Sequence, residues 1–200
     1  MVLSGYSRQQ LRFGLANQGA SKEIADILDY IDGVGSRFYV DSGAGSDTND
    51  GKAPDRAFKT LDYSIAKCTA NNGDVIYVLP GHAETITADS GVDIDVAGIT
   101  VIGLGEGAAR PTFTFTTAVT ADFKLAAAST VVKNILFLGG IDETTGVIEI
   151  SADDCVLEDC EYRDSTGQAT DVLMITSGSD RVTVRGCKFN LSGAAGPNTA

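Results

Sequence analysis

Val132-Lys133-Asn134-Ile135-Leu136-Phe137, Leu157-Glu158-Asp159-Cys160-Glu161-Tyr162 and Val184-Arg185-Gly186-Cys187-Lys188-Phe189 are three copies of one pattern. It runs aliphatic, any residue, Asn/Asp/Gly, Ile/Cys, any residue, aromatic. The copies start 25 and 27 positions apart, and Val101-Ile102-Gly103-Leu104, 31 positions before the first, is a weaker fourth. Self-similarity at a period of about 20–50 residues marks a repeat architecture. Each copy sets a tight-turn residue (Asn134, Asp159, Gly186) between short alternating stretches, so the unit reads as two strands meeting at a corner. Ten residues beyond the first two aromatics come Val147-Ile148-Glu149-Ile150 and Val172-Leu173-Met174-Ile175, a third strand in the same register.

A coil of about 25 residues with three short strands and Gly, Asn, Asp and Ser at its corners is one rung of a parallel β-helix. Equivalent residues then stack about 4.8 Å apart. Ile135, Cys160 and Cys187 are expected to form one inward ladder, and Val132, Leu157 and Val184 another. Lys133, Glu158 and Arg185 form an outward ladder of alternating sign, with Glu161 beside Lys188. The agreement of apolar and charged positions is the internal argument for the stacking.

Composition fits one β-rich body with a small appendage: 43% hydrophobic, 7% aromatic, no Trp and 23 Gly in 200 residues. The net charge is -12; residues 1–36 carry 3 basic and 4 acidic groups, the remainder 12 and 23. Such a surface repels phosphate backbones and anionic membranes, so neither nucleic acid nor membrane is an expected partner. The start of the chain lacks the pattern of a signal peptide, and no apolar run is long enough for a membrane span. Cys68, Cys155, Cys160 and Cys187 have neither zinc-knuckle spacing nor a CxxC. Cys160 and Cys187 would stack within disulfide range, and the reading adopted is buried thiols in a ladder rather than a bridge.

Three segments follow in order: an N-terminal helical arm (1–36), an entry strand and helix (37–79), and parallel β-helix rungs (80–200). In the arm, 7–17 and 21–32 read as short helices. Ile24, Ile27, Leu28 and Ile31 make one apolar stripe that needs a partner, so they are the candidate docking residues. Arg37 to Asp41 reads as a strand. The loop after it holds Asp41, Asp47, Asn49 and Asp50, weak calcium candidates whose spacing does not match an EF-hand. An amphipathic helix is expected over 58–69 and a buried strand over 75–79.

The succession FYVDSGAGSDTNDG, AFKTLDYSIAKC, GDVIYVLPGHAETI resembles the entry segment of right-handed parallel β-helix proteins of the pectin-lyase-like group. Continued through VDIDVAGITVIGLGEGAARPTFTFTTA, it resembles the β-helix proteins carried by tailed bacteriophages. The resemblance covers residues 37–190 and implies a mainly β fold, a short right-handed parallel β-helix behind the arm. It implies a virion component, a capsid decoration or cement protein working as a homotrimer against the major capsid protein or another virion protein. The alternative it carries is a tailspike or fibre-like protein that binds or cleaves a host surface glycan.

No catalytic residues are assigned and no cofactor is expected. Asp153 and Asp154 are adjacent and read as corner residues. Glu158 and Glu161 have cations as ladder neighbours, Glu149 has Met174, and His82 sits in a turn without a nucleophile. GLGEG (103–107) leads into a strand rather than a helix, which disfavours phosphate binding. About four rungs fit the chain, a short groove for glycan cleavage.

Overall fold

A computed structural model describes residues 35–142, 144–165 and 169–191. The arm's helices and Ile24, Ile27, Leu28 and Ile31 lie outside the described residues. From Ser36 onward the chain is one compact unit. It is a parallel β-solenoid of about four turns, built on three sheets whose strands all pair in parallel.

The first sheet stacks β1 (Arg37–Val40), β2 (Val75–Val78), β5 (Thr100–Gly103), β8 (Val131–Lys133), β11 (Val156–Glu158) and β14 (Thr183–Arg185) in that order. The second stacks β3 (Ala83–Ile86), β6 (Thr112–Phe115), β9 (Leu136–Gly139), β12 (Glu161–Asp164) and β15 (Lys188–Asn190). The third stacks β4 (Val92–Ile94), β7 (Phe123–Leu125), β10 (Thr144–Ile150) and β13 (Ala169–Ile175). β1 thus stacks on the first three-stranded coil, which begins at Val75 inside the segment read as entry, and the weak copy at Val101 belongs to a full coil in register with Val132.

The predicted ladders are present. Val132, Leu157 and Val184 are register partners, as are Lys133, Glu158 and Arg185. Ile135 and Cys160 are buried and Cys187 packs against the same core. Period-2 alternation makes this arrangement: Phe38, Ile76, Val101, Val132 and Leu157 all point inward from the first sheet and are buried. The second sheet supplies Phe113, Phe137 and Tyr162, and the third Phe123, Leu125, Ile148 and Ile150.

Corners are set by the left-handed backbone. Asn134, Asp159 and Gly186 have φ of 56°, 53° and 65°. A second corner ladder, not anticipated, runs through Gly98, Ser129, Asp154 and Arg181, with φ of 72°, 60°, 58° and 56°. Each amide of that ladder up to Asp154 donates to the next coil: Gly98 to Ala128, Ser129 to Asp153, Asp154 to Asp180. Asp153 and Asp154 are corner residues as expected, both paired with Arg181.

The expected helix over 58–69 is confined to α1 (Leu61–Ile65). Phe58 is drawn into a parallel bridge with Val40, its amide bonded to the Tyr39 carbonyl, and the Thr60 amide is taken by the Asp47 carboxylate. Sheet pairing therefore outcompetes helix propensity at the start of the segment. No helix among the described residues is long and apolar enough to cross a membrane.

The two ends differ. At the first coil, Leu61 and Ile65 of α1 are buried in the core, and its first amide, that of Leu61, is held by Glu84 of β3. At the last, Ile175, Val184 and Phe189 are 48%, 37% and 41% exposed, although their partners one coil back, Ile150, Leu157 and Tyr162, are fully buried.

Candidate functional site

Each sheet presents one outward face, and the three faces differ in how their charges are balanced. On the first, Glu158 lies between Lys133 (2.6 Å) and Arg185 (3.0 Å). Hydrogen bonds from Arg185 and then Lys133 hold its carboxyl down at about 2. Toward the first coil the same ladder becomes apolar: Tyr39 and Tyr77 stack with centroids 5.5 Å apart, followed by Ile102.

On the second face Glu161 is buried and bound by Arg163 (2.7 Å), Arg110 (3.1 Å) and the amide of Asn190 (2.6 Å). Lys188 is its register partner and adds only long-range attraction; the ion pairs are those to Arg163 and Arg110. Arg110 was invisible to the repeat because it lies in the corner before β6, two coils earlier in the chain. With cations on both sides, Glu158 and Glu161 are held ionised, which suits structural charge balance and not proton donation.

The third face is the exception. Asp93, Lys124, Glu149 and Met174 form its central outward ladder, with Lys124 and Glu149 paired at 2.8 Å. Asp93 is raised by burial and then by Asp95, and one of its oxygens is buried without a hydrogen-bond partner. Asp62, from α1, is raised by burial, against a bond from the Asp93 amide, and then by Asp95 and Glu84. Asp122 is pushed up to about 6 by burial, against its 2.6 Å bond from the Ser90 amide, with Asp89 and Glu149 adding to the rise. Among the described residues acids here outnumber Lys124, the nearby cation, and burial raises Asp62, Asp93 and Asp122, the last to about 6. Perturbed carboxyls gathered on one surface mark a candidate functional site. Such groups can donate as well as accept hydrogen bonds.

Asp122 gives a pH prediction. Its folded value of about 6 lies above the ordinary 3.8, so its stabilising contribution is complete below about pH 4 and is lost as pH rises through about 6. Asp122→Asn keeps the acceptor for Ser90. We expect its urea midpoint to match the parent near pH 4 and to exceed it at pH 7.5. A gap unchanged between the two pH values would contradict the assignment.

The calcium candidates are engaged elsewhere. Asp41 accepts from the Gly43 amide, Asp47 from the amides of Lys59 and Thr60, and Asp50 from Lys52 and Arg56. Asn49 donates to the Ala57 carbonyl. They stitch the loop to its neighbours, and among the described residues no three His, Cys, Asp or Glu side chains gather where they could hold a metal ion.

His82 is not an open turn residue. Its side chain is buried, Nδ1 accepts from the Ser42 amide (3.0 Å) and Nε2 faces Glu84 (3.0 Å). Ser42, His82 and Glu84 thus meet, but the Ser42 hydroxyl accepts from the Ala83 amide, and the nitrogen that would take its proton is occupied by backbone. The arrangement is a structural clamp rather than a nucleophilic triad.

No family model matches the chain, and no curated protein matches its sequence. Among solved structures, a rhamnogalacturonan lyase matches with a TM-score of 0.55 and 18% identity, over 78% of this chain and 51% of that one. The chain spans about half the length of that structure, and at this identity the likeness establishes the parallel β-helix fold alone.

Proposed function

We propose that this chain is a glycan-facing β-solenoid that binds a surface polysaccharide along the outer face of β4, β7 and β10. The observation that carries this reading is that face itself, where Asp93, Asp95 and Asp122 are not neutralised as Glu158 and Glu161 are. Carboxyls in this state accept from sugar hydroxyls and amines, while the chain's charge of -12 disfavours polyuronates. The preferred ligand is therefore a neutral or amino-sugar polymer. The shared fold with a polysaccharide lyase supports the choice of ligand class. Cleavage is not part of the proposal. Lys124, the cation in reach, is raised by its bond to Glu149, the opposite of what a proton-abstracting amine requires.

A second reading is favoured by the last described coil, where Ile175, Val184, Phe189 and Leu191 are exposed, and by the resemblance of the 37–190 segment to phage β-helix proteins. It is a capsid decoration or cement protein, a homotrimer docked to the major capsid protein through the arm. In both readings the coil is taken as right-handed, the hand that parallel crossovers adopt. The test is binding of the purified protein to an array of neutral, amino-sugar and uronic-acid polysaccharides. Retention of a neutral or amino-sugar polymer, weakened at least about ten-fold by Asp93→Asn with Asp95→Asn, is the expected result. Absence of binding to every polymer, with the protein imaged at fixed positions on a capsid shell, would replace this reading with the second.

A further inference from the structure

We propose that Cys160 and Cys187 form a dithiol redox site, whose oxidation by a small disulfide staples the last coil to the one before it. The geometry carries this. The two residues directly precede the register partners Glu161 and Lys188, and the Lys188 amide donates to the Cys160 carbonyl at 2.9 Å. Adjacent coils lie about 4.8 Å apart, inside the roughly 4.4–6.8 Å Cα separation that a disulfide spans. Both thiols are free and placed alike, Cys160 Sγ against the Val132 and Glu158 carbonyls and Cys187 Sγ against those of Leu157 and Arg185, one coil on. Their positions are unequal. Cys160 is buried, while Cys187 is partly exposed in a coil that nothing further covers among the described residues.

That inequality orders the chemistry. The neighbouring Cys160 thiol draws Cys187 down to about 6, while the Cys187 thiol and burial raise Cys160. Cys187 is therefore the attacking thiolate. Its sulfur attacks one sulfur of the small disulfide, forming a mixed disulfide and releasing one small thiolate. The Cys160 sulfur then attacks the Cys187 sulfur, its proton leaving with the second small thiol. Two protein thiols are oxidised, one small disulfide is reduced to two thiols, and no further reagent is needed. Cys155 has Thr130 as its side-chain neighbour and Cys68 has the Ser64 carbonyl, so neither competes for the pairing.

The consequence is local. A bridge closing the 160–187 loop restrains a coil whose apolar residues are uncovered, and the parts that open most readily gain most from such a restraint. The test is to incubate the native protein with oxidised glutathione, block the remaining thiols and map peptides by mass spectrometry. The expected product loses two hydrogens and links Cys160 to Cys187, with Cys68 and Cys155 still alkylated. Amide exchange over 183–190 should slow by about ten-fold or more on oxidation, and dithiothreitol should reverse it. A glutathione adduct that persists on Cys187, a bridge involving another cysteine, or no oxidation at all would overturn the proposal. Cys187→Ser should remove both the bridge and the slowing. Should that variant fail to fold, the peptide map of the parent protein decides alone.

Discussion

Phe137→Ala is expected to destabilise the solenoid by about 3–5 kcal/mol, a large part of the roughly 5–15 kcal/mol that holds a domain of this kind together. Phe137 is the aromatic of the first repeat copy and is fully buried. Its ring lies 5.2 Å from that of Phe123, 6.2 Å from Phe115 and 6.4 Å from Phe113. It therefore joins two sheets and two coils at once. Backbone pairing on both sides of β9 prevents the coil from collapsing into the void, which places the cost at the upper part of the range for such truncations. Urea unfolding of the purified protein checks it. Phe137→Leu, which keeps most of the volume, should lose much less, and a loss under 1 kcal/mol for the alanine variant would contradict the packing described.

Glu84→Ala is expected to be comparably severe for a different reason. Glu84 is the register partner of Phe113 and so sits at an inward-facing position of the first coil. Its carboxylate accepts from the Leu61 amide at 3.1 Å and faces His82 Nε2 at 3.0 Å. Because Nδ1 of His82 accepts from the Ser42 amide, Nε2 carries the proton and donates it to Glu84. Removing the carboxylate leaves two buried donors without a partner, at roughly 1–3 kcal/mol each. An inward charge at the end of a stack also discourages strand addition there, so the variant should both unfold earlier and associate more readily. Glu84→Gln keeps the acceptor and is expected to retain most of the stability. Unfolding curves and sedimentation of the three proteins separate these outcomes; equal stability of the alanine and glutamine variants would remove the clamp from the account.

The candidate face shows how far the linear pattern reaches. Asp93, Lys124, Glu149 and Met174 are separated by 31, 25 and 25 residues, close to the intervals of the repeat itself. The ladder could have been found by carrying the repeat offset back to the third strand of each coil. Glu149 and Met174 were placed together in that way. Asp93 and Lys124 were missed because the offset was applied only to the third strands that follow the first two full copies. Asp62 and Asp122 carry no such signal. Asp62 lies on α1, outside the repeat, and Asp122 is raised by its burial in the folded coil, against a bond from Ser90, 32 positions away.

The sequence by itself determined the parallel β-solenoid, its inward ladders and the corner at Asn134, Asp159 and Gly186. These follow from period-2 burial and backbone conformation, local properties that a fixed repeat multiplies and stacking then brings into register. Only the tertiary structure decided which charges are balanced. Glu161 takes Arg110 from two coils away, His82 is buried under the Ser42 loop, and α1 loses its first turn to the bridge between Phe58 and Val40. Each of those outcomes is a competition for one hydrogen-bonding or ionic partner among groups far apart in the chain. Periodicity places such groups on faces and in coils, but which of them meet is settled by the loops and the corners that bring them within reach.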